Sequence, residues 1–347
     1  MNTLLQSQKI DDHEGETLDS LYTSILRDTF GRNKPDDDAK TLSVLAAVVL
    51  AANPLSPSSI ATLLGFDIED VPLLLSSVNS LLILQEDTNH PVRPFHKSFP
   101  DFITNPARCT NPRFYISPPD HHAQFLIGCL GLMNQTLEKN ICKLPDGVAN
   151  SDVVDLKERI EKYINPTLRY ACLSWHTHLV DVDTAPVHIA TITPALHQFL
   201  ETKFLFWLEV ISVLGAARNA VEVLQVTTDW LEVCPVLTFC LTQSQGSHRV
   251  QESSMLDLAG DCFRFVTGYF EIINTSSPHI YHSALAVAPK NSIIRKLYES
   301  HTHPFIRIVC GGPMLWDGST AAAARPSSLE SVVWSPTTGR SDNQQKQ

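Results

Sequence analysis

Apolar residues recur at helical spacing from the first periodic stretch of the chain onward. Leu18, Leu21, Tyr22, Ile25 and Leu26 share one face, which predicts a helix opening at Thr17 and stopped by Gly31 and the run NKPDDD. A second helix is expected over about Asp38 to Ala52; it is apolar nearly all round and therefore central in its domain. Ser56 reads as an N-cap with Pro57 at the first helical position of SIATLLG, and Gly65 closes that helix. A further helix is expected over about Glu69 to Leu82, with Leu73, Leu74, Val78, Leu81 and Leu82 as its apolar face. LLILQ, the polar turn EDTNHP and VRPF then read as two short strands. Helix, helix-turn-helix and wing in that order predict a winged-helix domain over residues 17–105.

Beyond the wing the period stays helical. FHKSFPDFI opens a helix, and Pro118-Pro119-Asp120 punctuates the start of a long one. Further helical patterns cover about 152–180, 189–217, 219–233 and 252–275, joined by short Pro-, Gly- or Asn-containing links. The fold class expected is mainly α: a winged-helix domain followed by an α-helical bundle or short superhelical arm, with a disordered C-terminal tail. The boundaries that follow are 1–16 for a disordered N-terminus, 17–105 for the winged helix and 106–245 for the helical arm. Residues 246–316 form a helix and linker, and 317–347 a polar tail.

Charge and composition narrow the function classes. A formal net charge of -11 argues against nucleic acid as a partner, because polyanion binding relies on Lys and Arg displacing counterions. The helix-turn-helix makes the point locally. No Lys or Arg lies between Lys40 and Arg93, while Asp67, Glu69 and Asp70 sit where a recognition helix would begin. The eight cysteines contain no CxxC pair and suit a reducing compartment. With no basic, apolar leader and no run of about 18 apolar residues, the expectation is a cytoplasmic protein without a membrane span.

Candidate chemistry is sparse. There is no GxxxxGK[ST], GxGxxG or GxSxG motif, so no catalytic residue is assigned. His121-His122 are adjacent and His176 and His178 two apart, spacings that point to different helix faces rather than to one metal; no metal ligand is assigned. A hydrolase with an unrecognised site in the helical arm would need His121, His122 or His176 gathered with a carboxylate. Trp175 and Trp207 lie in apolar helical stretches and read as core anchors. His96, between the second wing strand and the helix of FHKSF, is the one candidate contact residue. A ring nitrogen there can donate to a phosphate oxygen beside helix N-terminal amides, or it can cap its own helix.

Several segments together resemble a known family: LYTSIL, VLAAVVLAANPLSPSSIATLLG, VRPFHKSFPDFITNPARC, FYISPPDHH, CLGLMNQTLEKNICKL, RYACLSWHTHL and FLFWLEVISVLG. In this order they resemble the region after the nucleotide-binding core of basidiomycete NACHT/WD-repeat proteins, NLR-like members of the STAND NTPase class. SSPHIYHSALAVAPKNSIIRKLY is similar to the link into the propeller, and SLESVVWSPTTGR to a degenerate first WD repeat. The resemblance implies a non-catalytic regulatory or interaction module coupling nucleotide state to a sensor domain. Its partners would be a NACHT-type NTPase domain and a WD-repeat propeller, with ATP/GTP or ADP/GDP bound only through the NACHT domain. It further implies that His96 contacts the bound diphosphate. The phosphate loop and nearly all propeller repeats are missing from the chain, so the expectation is a truncated gene model, a short paralogue, or a non-functional remnant.

Overall fold

The computed structural model describes residues 18–31, 35–85, 87–234, 255–302 and 313–316. The expected disordered N-terminus and the tail at 317–347, with its degenerate repeat, lie outside the described residues. No helix among those described is long and apolar enough to cross a membrane.

The described chain is mainly helical, with one two-stranded sheet. Helix α1 covers residues 18–30. Helix α2 (Pro35–Leu50) starts earlier than the apolar pattern indicates. Pro35 supplies a preset φ at the first position, and Asp37 and Asp38 in the first turn complement the positive end of the helix dipole. The DDD run therefore belongs to the start of α2, and α1 ends before Gly31. In α3 (Pro57–Leu64) the Ser56 hydroxyl accepts the Ser59 amide, and Gly65 closes the helix in the left-handed region at φ 69°.

Helix α4 (Asp70–Ser76) is shorter than expected and is followed by a tight turn at Asn79–Leu81. The hydroxyls of Ser76 and Ser77 bond back to the carbonyls of Leu73 and Leu74, competing with continued helix. Its buried face is also shifted: Val71, Leu75 and Val78 point inward, whereas Leu73 is 69% exposed. The apolar run DVPLLL left that rotation open, since three consecutive leucines fit more than one face. Strands β1 (Leu82–Ile83) and β2 (Arg93–Pro94) pair antiparallel, Leu82 opposite Pro94 and Ile83 opposite Arg93. Pro94 has no N–H to extend the ladder. Helix α5 (Ser98–Ile103) follows.

The loop from 104 to 117 is held to the first two helices by two arginine–aspartate pairs. Arg108 grips Asp19 through Nε and Nη2 at 2.9 and 2.6 Å. Arg113 grips Asp38 at 2.9 and 2.6 Å and also donates to the Phe30 carbonyl. Forked, charge-assisted contacts of this kind fix orientation as well as proximity.

Helix α6 (Pro118–Thr136) is the spine. It packs on α2 and α3 on one side and on α8 and α9 on the other. The pattern expected over 152–180 is two helices, α7 (Leu156–Tyr163) and α8 (Pro166–Asp181), because Asn165 caps α8 through the Leu168 amide and Pro166 starts it. The 189–217 pattern likewise divides at Lys203 into α9 (Pro186–Thr202) and α10 (Phe204–Val213). Helix α11 (Asn219–Val233) lies between α8 and α12 (Met255–Gly268). Helices α13 (Phe270–Thr275), α14 (Leu285–Val287, after a wide turn at Ile280–Ala284) and α15 (Ile293–Leu297) complete the described chain.

One continuous apolar core runs from Tyr22 to Tyr298. Trp175 and Trp207 are core anchors as expected. They are fully buried and meet Phe199 edge-on, and the Trp207 indole donates to the Cys172 carbonyl at 2.9 Å. Cys109, Cys129, Cys142, Cys172 and Cys262 are buried thiols within it.

The backbones of α3 and α6 come close at Gly128, where a Cβ would lie 2.1 Å from the Leu63 carbonyl oxygen. Gly131, one turn on, has nothing within 4 Å of the same position. Gly128→Ala is expected to lower stability by about 1–3 kcal/mol through overpacking. Gly131→Ala should leave it unchanged or raise it by about 0.5–1 kcal/mol. Urea denaturation of the pair checks this; equal midpoints would mean that the α3–α6 approach is not tight.

Candidate functional site

His96 stands at the surface between β2 and α5. Its Nδ1 lies 2.7 Å from the Ser98 hydroxyl and 3.2 Å from the Ser98 amide, which donates to it. The Ser98 hydroxyl in turn lies 2.9 Å from the Tyr22 hydroxyl on α1. The amide has a proton to give, so Nδ1 is the acceptor, and a neutral ring carries its proton on Nε2. His96 thus caps its own helix with one nitrogen and keeps the other as a donor. Of the two behaviours expected of it, the geometry shows the capping one. Around it Arg93 and Lys97 are exposed, and Phe95 is 70% exposed. Across the N-terminal helices, the cation of Lys40 is engaged by Asp70 at 3.2 Å.

The arm histidines fall into separate settings. His121 Nδ1 is 2.9 Å from the Ser117 carbonyl of its own first turn, so it donates there. His176 is buried, and its Nδ1 has no hydrogen-bond partner among the described residues; burial pushes its pKa down. His122 and His178 meet: their Nδ1 atoms are 2.9 Å apart. The chain continues from His178 Nε2 to the Tyr170 hydroxyl at 2.8 Å and from Tyr170 to the Ala52 amide at 3.2 Å. At its other end His122 Nε2 lies 3.5 Å from Asp181. His188 bridges Asp183 and Asp120 at 2.6 and 3.0 Å, tying the start of α9 to the start of α6. Among the described residues no group of three or more His, Cys, Asp or Glu is arranged to hold a metal ion.

So the fold gathers His122 with a carboxylate, and it sets His121 and His176 apart from that group. In the His122–His178–Tyr170 chain both Nδ1 atoms, the His178 Nε2 and the Tyr170 hydroxyl are hydrogen-bonded within the protein, and His122 Nε2 faces Asp181.

A second polar group lies in the core. Glu209, in the middle of α10, is 3% exposed. Its Oε2 accepts the Asn140 amide at 2.7 Å, and its Oε1 is bonded by the Tyr281 hydroxyl. Asn140 holds a left-handed backbone (φ 54°), secured by its side chain, which accepts the Leu144 amide and donates to the Leu144 carbonyl. The Lys139 ammonium sits 4.6 Å over the Tyr281 ring. Burial pushes the Glu209 carboxyl up to about 8, against the bonds from Tyr281 and Asn140. The sequence reading did not single it out. A lone Glu inside FLFWLEVISVLG was the available signal, since an apolar helix that keeps an acid must have a partner for it.

The sign of the linkage is definite. Near pH 7 the folded state keeps a proton on Glu209 that the unfolded chain has released, so stability falls as pH rises from about 4.5 to about 8. Between pH 7 and 8, above the ordinary imidazole value of about 6.5, the slope expected from Glu209 is up to about 1.4 kcal/mol per pH unit. Glu209→Gln, a neutral isostere that can still bond both partners, should flatten it. Urea denaturation across this window reads both slopes, and an unchanged slope in the variant would assign the effect elsewhere.

No protein-family model matches the chain, and no solved structure matches it. Among curated proteins it is similar to the vegetative incompatibility protein HET-E-1 of Podospora anserina, at 26% identity over 92% of this chain. The chain spans 23% of that protein's length. This similarity supports, in the broad sense, the resemblance to fungal NACHT/WD-repeat proteins.

Proposed function

We propose that the chain is a non-catalytic docking and lever module for a NACHT-type NTPase domain, in cis or in trans. In this reading residues 17–105 are a winged helix, 106–245 a helical arm, and 246–316 the connection towards a sensor propeller. Bound nucleotide enters only through the NTPase domain, and its state biases how the winged helix docks. His96 is the contact to the diphosphate. The observation that carries the proposal is the geometry of His96: a ring fixed by Ser98 and Tyr22, with Nε2 left as a donor on an exposed surface that also holds Arg93, Phe95 and Lys97. That surface is cationic in a chain of net charge -11, as an anionic ligand requires.

The similarity to a vegetative incompatibility protein supports a regulatory, protein-binding role of this general kind. DNA is the less favoured partner of the same fold. The exposed face of α4 carries Glu69 and Leu73 beside Ile68, without a cation.

The test is to mix the chain with a NACHT core of the same family, loaded with nucleoside diphosphate or triphosphate, and to measure binding by calorimetry. Binding is expected to favour the diphosphate state. His96→Ala should weaken that complex by about 10- to 100-fold, the range for one charge-assisted hydrogen bond, and leave the triphosphate state little changed. Absence of binding in both states would remove the proposal.

A further inference from the structure

Three close contacts mark the apolar seam between the N-terminal helices and the helices that follow. Gly128 of α6 lies against the Leu63 carbonyl of α3, Ser59 and Thr167 share a hydrogen bond at 2.9 Å, and the Ala52 amide at the end of α2 donates to Tyr170 of α8. The third contact is the end of a longer chain whose proton positions are fixed by counting. Tyr170 accepts from Ala52, and among the described residues the acceptor in reach of its own proton is His178 Nε2. A neutral His178 then carries its proton on Nδ1 and donates it to His122 Nδ1. His122 is left with its proton on Nε2, facing Asp181. Each group is satisfied only while both imidazoles are neutral.

We propose that the His122–His178 pair is a proton-sensitive latch on this seam, closed when both rings are neutral and released when they take up protons. A proton added at His122 Nδ1 sets two donors against each other across 2.9 Å. Reversing the chain does not relieve this. His178 Nε2–H and the Ala52 amide would then both point at the Tyr170 oxygen, and the Tyr170 proton would have lost its acceptor. The outcome is parting of α6 from α8 at the pair, and with it loss of the bond that holds the end of α2.

The surroundings set the direction. On α8, Asp181 is the one carboxylate facing the pair; it lies next to His122, is more than half exposed, and favours proton entry there. His121 opposes charge on His122, and His176 opposes charge on His178. From α6, Phe125 stacks on His178 at 5.1 Å and Cys129 faces Tyr170; from α2 comes only a backbone amide. Burial lowers both imidazoles, His178 to about 3. The closed seam therefore binds fewer protons than the open one. Closure is complete above the ordinary imidazole range near 6.5 and is lost as pH falls below it. This inference is independent of any nucleotide partner.

Two measurements on the full chain test it. Long-range 15N–1H spectra at pH 7.5 should show His178 protonated at Nδ1, the less common tautomer, and His122 at Nε2. Hydrogen exchange at the Ala52 amide, corrected for intrinsic rate, should give an opening constant that rises on acidification from pH 6.5 to 5. Its steepness should approach about 100-fold per pH unit, the mark of two protons. His122→Gln keeps an acceptor for His178 and a donor for Asp181, so it should reduce the steepness to about 10-fold per unit. An Nε2–H tautomer at His178, a pH-independent opening constant, or an undiminished slope in His122→Gln would each overturn the latch. The tautomer measurement decides the matter on the unmodified chain even where the variant fails to fold.

Discussion

Burial of α6 on two sides is the constraint on which the rest of the structure depends. A helix at the edge of a core needs one apolar stripe, but α6 must satisfy α2 and α3 on one side and α8 and α9 on the other. Phe125, Leu126, Cys129, Leu130 and Met133 supply the apolar contacts. Gly128 supplies the absence of a side chain where the α3 backbone comes close. Sharing one helix between the N-terminal elements and the helices that follow it makes a continuous core from Tyr22 to Tyr298, so the two parts meet through packed side chains.

Polar groups inside that core are satisfied by matching donors to acceptors, and this gives them directional consequences. Glu209 holds the Asn140 turn to α10 and Tyr281, His122 and His178 hold α6 to α8, and Asp261 accepts from Ser292, from the Ile294 amide and from the Trp316 indole. Each ties segments distant in sequence at a point where an apolar contact would allow sliding. Low local dielectric strengthens such bonds and penalises any unmatched proton. The same physics makes Glu209 and the histidine pair respond to pH in opposite senses: burial raises the acid and lowers the bases.

His96 belongs to a different regime. It lies on the exposed surface, its orientation comes from two hydroxyls and one amide, and Arg93 and Lys97 beside it in sequence are exposed as well. A rigid donor on an exposed, aromatic and cationic surface suits recognition of an anion presented by another domain, whereas the buried histidines suit internal coupling. The proposed docking role thus rests on an exposed ring, and the proposed latch on a buried pair.

The amino-acid order alone determined the helical class, the Ser56–Pro57 start and Gly65 stop of α3, the two short strands after α4, and the core placement of Trp175 and Trp207, because each of these depends on neighbours within a few residues. His96 was visible for the same reason: its position at a strand-to-helix junction is local. The boundaries at Lys203 and between Ser76 and Asn79 depended on competition between helical carbonyls, side chains and packing, which periodicity does not encode. Only the tertiary structure decided which face of α4 is buried, that His122 meets His178 rather than His121 or His176 meeting a carboxylate, and that Glu209 is held by Tyr281 from 72 residues away. Those outcomes depend on which helices lie side by side, and helical spacing fixes what a face contains without fixing what it faces.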